Sequence, residues 1–128
     1  REERRRTGRR ETEIKERPKV YMAAKYAGEK EKNRRDAIRY CRAAIKNGYI
    51  PIASHLLYPQ ILDDKDSRER ELGLLFGQAL LACCDEVWFI GNKDKNEKIE
   101  MSDGMKAEYR EAKRLHKTIR IMDGKELR

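Results

Sequence analysis

A serine, a glycine and a glutamate lie at the start of a helix that the sequence predicts in the last third of the chain. Ser102 is a favourable N-cap residue, Gly104 lets the backbone turn closely, and apolar residues beyond them recur at helical spacing. The first turn of a helix leaves amide N–H groups free to bind an anion, and Glu108 follows one to two turns later. Such an arrangement could hold a sugar or a phosphate beside a carboxylate. The same residues also fit an ordinary helix cap with a solvated glutamate.

Three other residues that could bind a ligand follow two predicted strands. Tyr26 and Gly28 come after the first apolar run of the chain, and His55 comes directly after the second. In open α/β sheets, ligands bind where the loops leave the carboxyl ends of the strands. We therefore expect Tyr26, His55 and Glu108 to face one cleft.

The elements that must position these residues alternate along the chain. Short apolar runs predict strands at 19–24, 49–54, 86–90 and 118–122. Segments with apolar residues on one helical face predict helices at 33–46, 67–84 and 102–115. A helix between two strands is the unit of a parallel sheet, so we expect an α/β fold with helices on both faces of a mostly parallel sheet.

Two of these helices have a continuous apolar stripe that we expect to be buried. In the first helix the stripe consists of Ala37, Ile38, Cys41, Ala44 and Ile45. In the second it consists of Leu72, Leu75, Phe76, Ala79, Leu80 and Cys83. The three cysteines, Cys41, Cys83 and Cys84, are odd in number and lack paired C-x-x-C spacing, and there are only two histidines. We therefore expect buried free thiols and no metal site.

The composition indicates one folded domain at 19–128, preceded by a charged arm at 1–18. With 128 residues, the chain is long enough for one real core. Residues 1–18 hold eight basic and five acidic side chains, with Ile14 as the one large apolar residue, and Pro18 ends the arm. Such a segment is typical of a frayed helix or a disordered arm.

Charge and hydropathy restrict the partners that we expect. The net charge is +8, which favours phosphorylated ligands or weak nonspecific nucleic-acid binding, but the basic aromatic motif of a dedicated RNA-binding module is absent. The sequence shows no apolar run of 18 residues and no signal-peptide pattern. We expect a cytoplasmic protein that binds neither membranes nor, as its main role, nucleic acid.

Four segments together resemble the nucleoside 2-deoxyribosyltransferase-like superfamily, and more closely its small bacterial and phage branch. They read V-Y-M-A-A-K-Y-A-G, A-I-R-Y-C-R-A-A-I-K-N-G-Y-I-P-I-A-S-H-L-L-Y-P-Q-I-L-D-D, C-D-E-V-W-F-I-G and S-D-G-M-K-A-E. The resemblance covers residues 19–122. It implies a flavodoxin-like, Rossmann-like three-layer sandwich that acts on the N-glycosidic bond of a nucleoside or nucleotide.

The resemblance also assigns roles to individual residues. Glu108 matches the nucleophile that attacks the anomeric carbon, and Ser102 matches the group that binds the sugar or phosphate. Tyr26 and Gly28 match the loop that covers the substrate. The expected substrate-binding set is Tyr26, Gly28, His55, Ser102, Asp103, Gly104 and Met105, with no cofactor. The resemblance further implies a homodimer or larger homo-oligomer that completes the site.

One departure leaves a second function open. Relatives carry an aspartate eight residues before the aspartate of the C-D motif, and this acid gives the leaving base its proton. Counting back from Asp85, the position is Gly77. Glu71, His55 or Asp103 could substitute for the acid. The alternative to an N-glycosidase or transferase is a non-catalytic nucleotide-binding or sensor protein.

Overall fold

The computed structural model describes residues 17–127 and contains a four-stranded sheet in which every strand runs parallel to its neighbours. The strands are β1 (Lys19–Ala24), β2 (Ile50–Ile52), β3 (Glu86–Gly91) and β4 (Thr118–Asp123), in the order β2-β1-β3-β4. The arm predicted at 1–18 falls, up to residue 16, outside the described part of the chain.

Within the described residues, four helices connect the strands, two of them between β2 and β3. They are α1 (Lys30–Lys46), α2 (Ser54–Leu57), α3 (Ser67–Ala82) and α4 (Asp103–Arg114), and short 3₁₀ turns follow α2 and β4. The topology is flavodoxin-like, so the expected α/β sandwich is confirmed.

Burial of both faces explains why β1 and β3 are almost entirely apolar. Side chains alternate across a strand, and Val20 and Met22 pack with residues of α1 on one face. Tyr21 and Ala23 face the other way and pack with residues of α3 and α4. The sheet is therefore the middle of three layers.

Two local sequence signals determine where α3 begins and where α1 ends. The Asp66 carboxylate accepts the Arg68 amide at 2.9 Å and so caps α3. At the end of α1, Gly48 adopts a φ of +86°, a conformation that glycine tolerates best, and the chain turns there into β2. The predicted end of this helix at residue 46 is thus confirmed.

Several predicted boundaries were wrong. The second strand has only three residues, because β2 is an edge strand that contains Pro51 and pairs with β1 alone. The first helix begins at Lys30 rather than at 33. Between β2 and the helix predicted from residue 67, the chain forms the short helix α2 and a 3₁₀ turn, neither of which was predicted.

The predicted buried stripes were partly wrong. In α1 the buried residues are Ala37, Tyr40, Ala43 and Ala44, while Ile38 and Ile45 are exposed. In α3 only Gly77 and Leu81 are buried, and Leu72, Leu75 and Phe76 are exposed. The apolar spacing identified real helical faces, but on α3 a second face, made of glycine and leucine, packs on the sheet. Cys83 is accordingly exposed, whereas Cys41 is half-buried and Cys84 is buried.

Candidate functional site

A pocket of about 410 Å³ opens where the strand order reverses between β1 and β3. The chain leaves β1 for α1 on one face of the sheet and leaves β3 for α4 on the other, so the two loops diverge and leave a crevice. Residues from the β1–α1 loop, α2, α3 and the start of α4 line the pocket. Its volume is within the range of small-molecule sites.

Six of the seven predicted binding residues line this pocket together with Glu108. They are Tyr26, His55, Ser102, Asp103, Gly104 and Met105. The seventh, Gly28, is not among the lining residues. It lies in the loop beside Tyr26, where its φ of +92° lets the chain turn into α1.

Glu108 lies in the second turn of α4 and is the carboxylate with the most perturbed environment in the pocket. Burial raises the pKa of Glu108 from 4.5 to about 7, and a hydrogen bond from Tyr21 lowers it in part. A carboxylate with a pKa near neutrality is ionised in half of the molecules at that pH. It can therefore act either as a nucleophile or as a proton carrier.

Ser102 is the N-cap of α4, as the sequence predicts. Its Oγ accepts the Met105 amide at 3.2 Å, and its carbonyl accepts the Lys106 amide. The amides of Asp103 and Gly104, in the first turn, have no acceptor within the helix. They lie at the positive end of the helix dipole and can donate to an anionic or hydroxyl group in the pocket.

The loop that carries Tyr26 is held on both sides. The Asn33 side chain donates to the carbonyls of Tyr26 and Ala27 at 3.0 and 3.1 Å. Lys30 lies over the Tyr26 ring and pairs with Asp64 at 3.0 Å, across from the β1–α1 loop. These contacts fix one wall of the pocket.

His55 lies in α2 with its imidazole largely removed from water. Among the described residues, its Nε2 atom is buried without a hydrogen-bond partner. Burial lowers the pKa of His55 from 6.5 to about 4, so the ring is neutral at physiological pH. The unpaired nitrogen of a neutral ring can form one hydrogen bond with a bound molecule.

The sequence reasoning missed Tyr21 and Ser54. The Tyr21 side chain is 1% exposed, and its hydroxyl lies 2.6 Å from Ser54 Oγ while also interacting with Glu108. Burial, followed by the Glu108 charge, raises the pKa of Tyr21, so the phenol stays protonated. The signal that could have identified Tyr21 is a tyrosine within the apolar run of a buried strand, since a buried phenol needs a hydrogen-bond partner.

Gly77 faces these two hydroxyls from α3. A Cβ atom at position 77 would lie 3.1 Å from the Tyr21 hydroxyl oxygen and 3.2 Å from Ser54 Oγ. A larger side chain would displace one of them. Of the three substitute acids proposed from the sequence, His55 and Asp103 line the pocket, and Glu71 is not among the lining residues.

A second hollow of about 470 Å³ lies on the α1 side of the sheet, next to Trp88 and Arg120. The carboxylates that line it are Asp123 and Glu126, and Asp123 Oδ1 already accepts the Lys125 amide at 2.9 Å. Trp88 and Arg120, which also line it, donate to Glu86 at 3.1 and 2.8 Å. Most of the candidate residues predicted from the sequence lie in the pocket beside Glu108, which is the better candidate site.

Two further searches of the described residues bear on function. No group of three His, Cys, Asp or Glu side chains within 17–127 is arranged to hold a metal ion. No helix in the same range has the length and hydropathy needed to cross a bilayer.

Comparison with known proteins gives one family. Residues 18–122 match the model described as "Domain of unknown function (DUF7768)". No curated protein matches the chain.

Proposed function

Because the chain belongs to the DUF7768 family, a domain family of unknown function, we propose its function from the pocket itself. The proposal is that the pocket binds a nucleoside or nucleotide and that Glu108 attacks the anomeric carbon at its N-glycosidic bond. It includes the finer assignment to the nucleoside 2-deoxyribosyltransferase-like superfamily, which rests on the sequence resemblance.

The observation that carries the proposal is the placement of Glu108. Its carboxyl group lies in a pocket wide enough for a nucleoside, in contact with Tyr21 and beside the first turn of α4. A buried carboxylate is a stronger nucleophile than a solvated one, because fewer water molecules must be removed before it attacks. The same low-polarity surroundings strengthen its attraction to a positively charged oxocarbenium-like centre.

The proposed reaction has two steps. A Glu108 oxygen forms a bond to the anomeric carbon while the carbon–nitrogen bond breaks, and the base departs with that electron pair and takes up a proton. Water or a second base then attacks the anomeric carbon of the glycosyl ester and releases Glu108. The Tyr21 hydroxyl donates to the carboxylate and holds the attacking oxygen in place.

The helix start would bind the rest of the ligand. The amides of Asp103 and Gly104, with the Ser102 hydroxyl, can donate to a sugar hydroxyl or a 5′-phosphate. The Tyr26 ring supplies a flat surface for the sugar or base, and His55 offers one hydrogen bond to a polar edge. We assign proton delivery to His55 or Asp103, since both line the pocket.

A second candidate is binding of a nucleotide without chemistry. The specific observation in its favour is Gly77, which has no side chain to act as an acid. The Tyr21 and Ser54 hydroxyls face Gly77 and lie next to each other where such a side chain would be. In that case the same pocket would recognise the ligand, but the base would lack a strong proton donor.

Base release from nucleoside 5′-monophosphates and 2′-deoxynucleosides, measured by chromatography, tests the proposal. We expect wild type to release free base, Glu108→Gln to bind the same compound without releasing base, and Glu111→Gln to behave as wild type. Glu111 is a suitable control because it lies one turn further along α4, pairs with Arg114 and does not line the pocket. Binding without release by wild type would favour the second candidate, and absence of binding would refute both.

A further inference from the structure

The solvent-facing side of α1 carries a stripe of basic side chains. Its residues recur every three or four positions, which places them on one continuous helical face. All are exposed, and they are Glu31, Arg34, Arg35, Ile38, Arg42, Ile45 and Lys46. Four of them are basic and one is acidic, so the stripe has a net charge of +3.

The cations of this basic stripe differ from the other cations of α1 in having no partner. Lys30 pairs with Asp64 at 3.0 Å, and Lys32 pairs with Asp36 at 2.9 Å. Arg39 donates to two backbone carbonyls near the end of the described chain. Within residues 17–127, no carboxylate pairs with any of the four basic side chains of the stripe.

The fold leaves the basic stripe accessible and holds it away from the pocket. The opposite side of α1 packs on the sheet through Ala37, Tyr40, Ala43 and Ala44. The helices α3 and α4 pack on the other face of the sheet, where the pocket lies. A partner on the stripe and a ligand in the pocket would therefore bind on different sides of the molecule.

We propose that the basic stripe binds the phosphate backbone of double-stranded nucleic acid without reading its sequence. The cations extend from Arg34 to Lys46, about 18 Å along the helix axis at 1.5 Å per residue. A duplex presents about ten phosphate charges over that length. Three of the four cations are arginines, whose planar guanidinium groups bind phosphate through two parallel hydrogen bonds.

This inference does not depend on what the pocket binds. The sequence predicts no dedicated nucleic-acid module, and none is required for contacts to the phosphate backbone, because such contacts carry no sequence information. Four unpaired cations on one face of a rigid helix are sufficient for nonspecific binding.

The other residues of the stripe favour a duplex over other anionic partners. An interfacial membrane helix inserts its apolar face into lipid, but the apolar face of α1 is buried on the sheet. Single-stranded nucleic acid is bound largely by stacking on aromatic side chains, and the stripe contains none. An acidic protein would likewise find no aromatic anchor there.

Fluorescence anisotropy of the full chain with a labelled DNA duplex, between 50 and 200 mM salt, tests the proposal. We expect wild type to bind with the weak, salt-sensitive affinity of nonspecific contacts. The double variant Arg42→Gln/Lys46→Gln should bind at least about 10-fold more weakly at about 0.1 M salt. The slope of log affinity against log salt should become shallower by about 2, because two phosphate contacts are lost.

The double variant Lys106→Gln/Arg110→Gln is the matched control. It also removes one lysine and one arginine that lie four residues apart and are exposed, but on α4, where Asp103 lies on the same helical face. We expect it to bind as wild type does. The basic residues before position 17 are common to all these proteins, so they do not affect the comparison.

Glu31→Gln tests the stripe in the opposite direction. It removes the one acidic side chain of the stripe and should tighten binding several-fold. A gain in affinity cannot result from partial unfolding, and unchanged circular dichroism would show that all three variants fold.

Four results would overturn the proposal. They are absence of duplex binding by folded wild type at 50 mM salt, an equal loss of affinity in both double variants, no gain with Glu31→Gln, and tighter binding to another polyanion. The other polyanions are a DNA single strand of the same length, phosphatidylserine vesicles and polyglutamate. A preference for one of these would assign the stripe to a single strand, a membrane surface or an acidic protein instead.

Discussion

Replacing Glu108 by glutamine should stabilise the protein at alkaline pH and have little effect at acidic pH. Burial holds the pKa of Glu108 near 7, well above its ordinary 4.5. The native state therefore keeps this proton over a pH range in which the unfolded chain has already lost it. The free energy of unfolding falls as the pH rises from about 4.5 to about 7, because the native state binds more protons there. Glutamine has no such proton, so the variant escapes this loss.

The size of the effect follows from the two pKa values. Their difference corresponds to about 3 kcal/mol of stability, all of it present below the unfolded pKa and lost above the folded one. Since the unfolded carboxyl is already partly ionised at about pH 5, the stability of Glu108→Gln relative to wild type should increase by about 2.5 kcal/mol between about pH 5 and pH 8. Glutamine preserves the shape of the side chain and can still accept from Tyr21.

Urea unfolding of both proteins across this pH range measures the difference directly. Taking the difference removes every other titrating group, including His55, because both proteins share it. The control is Glu111→Gln, since the Arg114 ion pair lowers the pKa of Glu111 and its contribution is constant above about pH 5. A difference between Glu108→Gln and wild type that does not grow with pH would show that this carboxyl is solvated, and the nucleophile argument would lose its basis.

Three further outcomes are expected. Ser102→Ala should lower stability by about 1 kcal/mol through loss of the α4 cap and should weaken phosphate-bearing ligands most, as calorimetry would detect. The free energy of unfolding of wild type should decrease by up to about 3 kcal/mol as the pH falls from 6.5 to about 4, because burial lowers the pKa of His55 and the native state then binds fewer protons than the unfolded chain. His55→Phe should remove this decrease. Gly77→Ala should weaken nucleotide binding by crowding the Tyr21 and Ser54 hydroxyls, and adding Ser54→Ala should restore it; equal affinity in all three proteins would refute the crowding.

The sequence predicted the order of the four strands and of the three long helices, because the apolar periods of strands and helices differ clearly, but it did not predict the short helix α2. The apolar run that became β3 has no polar interruption, as a strand buried on both faces requires, whereas Ser102 and the spacing beyond it predict the start of α4 to the residue. The length of the second strand was overestimated, because the same apolar run is expected whether a strand pairs on two sides or on one. Only the sheet order reveals that β2 is at an edge.

The orientation of α3 could not be read from the spacing. The residues of both faces follow helical spacing, Gly77 and Leu81 on one face and Leu72, Leu75 and Phe76 on the other. Periodicity alone cannot show which of two apolar faces of a helix is buried. The structure places Gly77 against Tyr21 because a residue without a side chain allows the close approach that the two hydroxyls need. A glycine inside a strong helix pattern was the available signal for this contact.

The positions of the candidate residues could be predicted from the sequence, but their protonation states could not. Loop placement at strand ends brought Tyr26, His55 and Glu108 to one pocket, as expected for a parallel sheet. Their proton affinities depend on burial by elements distant in sequence, and Tyr21 was missed because its partners Ser54 and Glu108 lie far along the chain.

The pKa of His55 and the pKa of Glu108 are shifted in opposite directions, and both shifts favour the neutral form of the side chain. Burial keeps the histidine neutral and, below about pH 7, also keeps the glutamic acid neutral. A positive charge that develops on a bound sugar would favour ionisation of Glu108, while an anion on the same ligand would lie at the positive end of α4. On the proposed reaction, the pocket therefore stabilises charge that appears during bond cleavage more than charge already present in the substrate, which is the condition for raising a rate rather than an affinity.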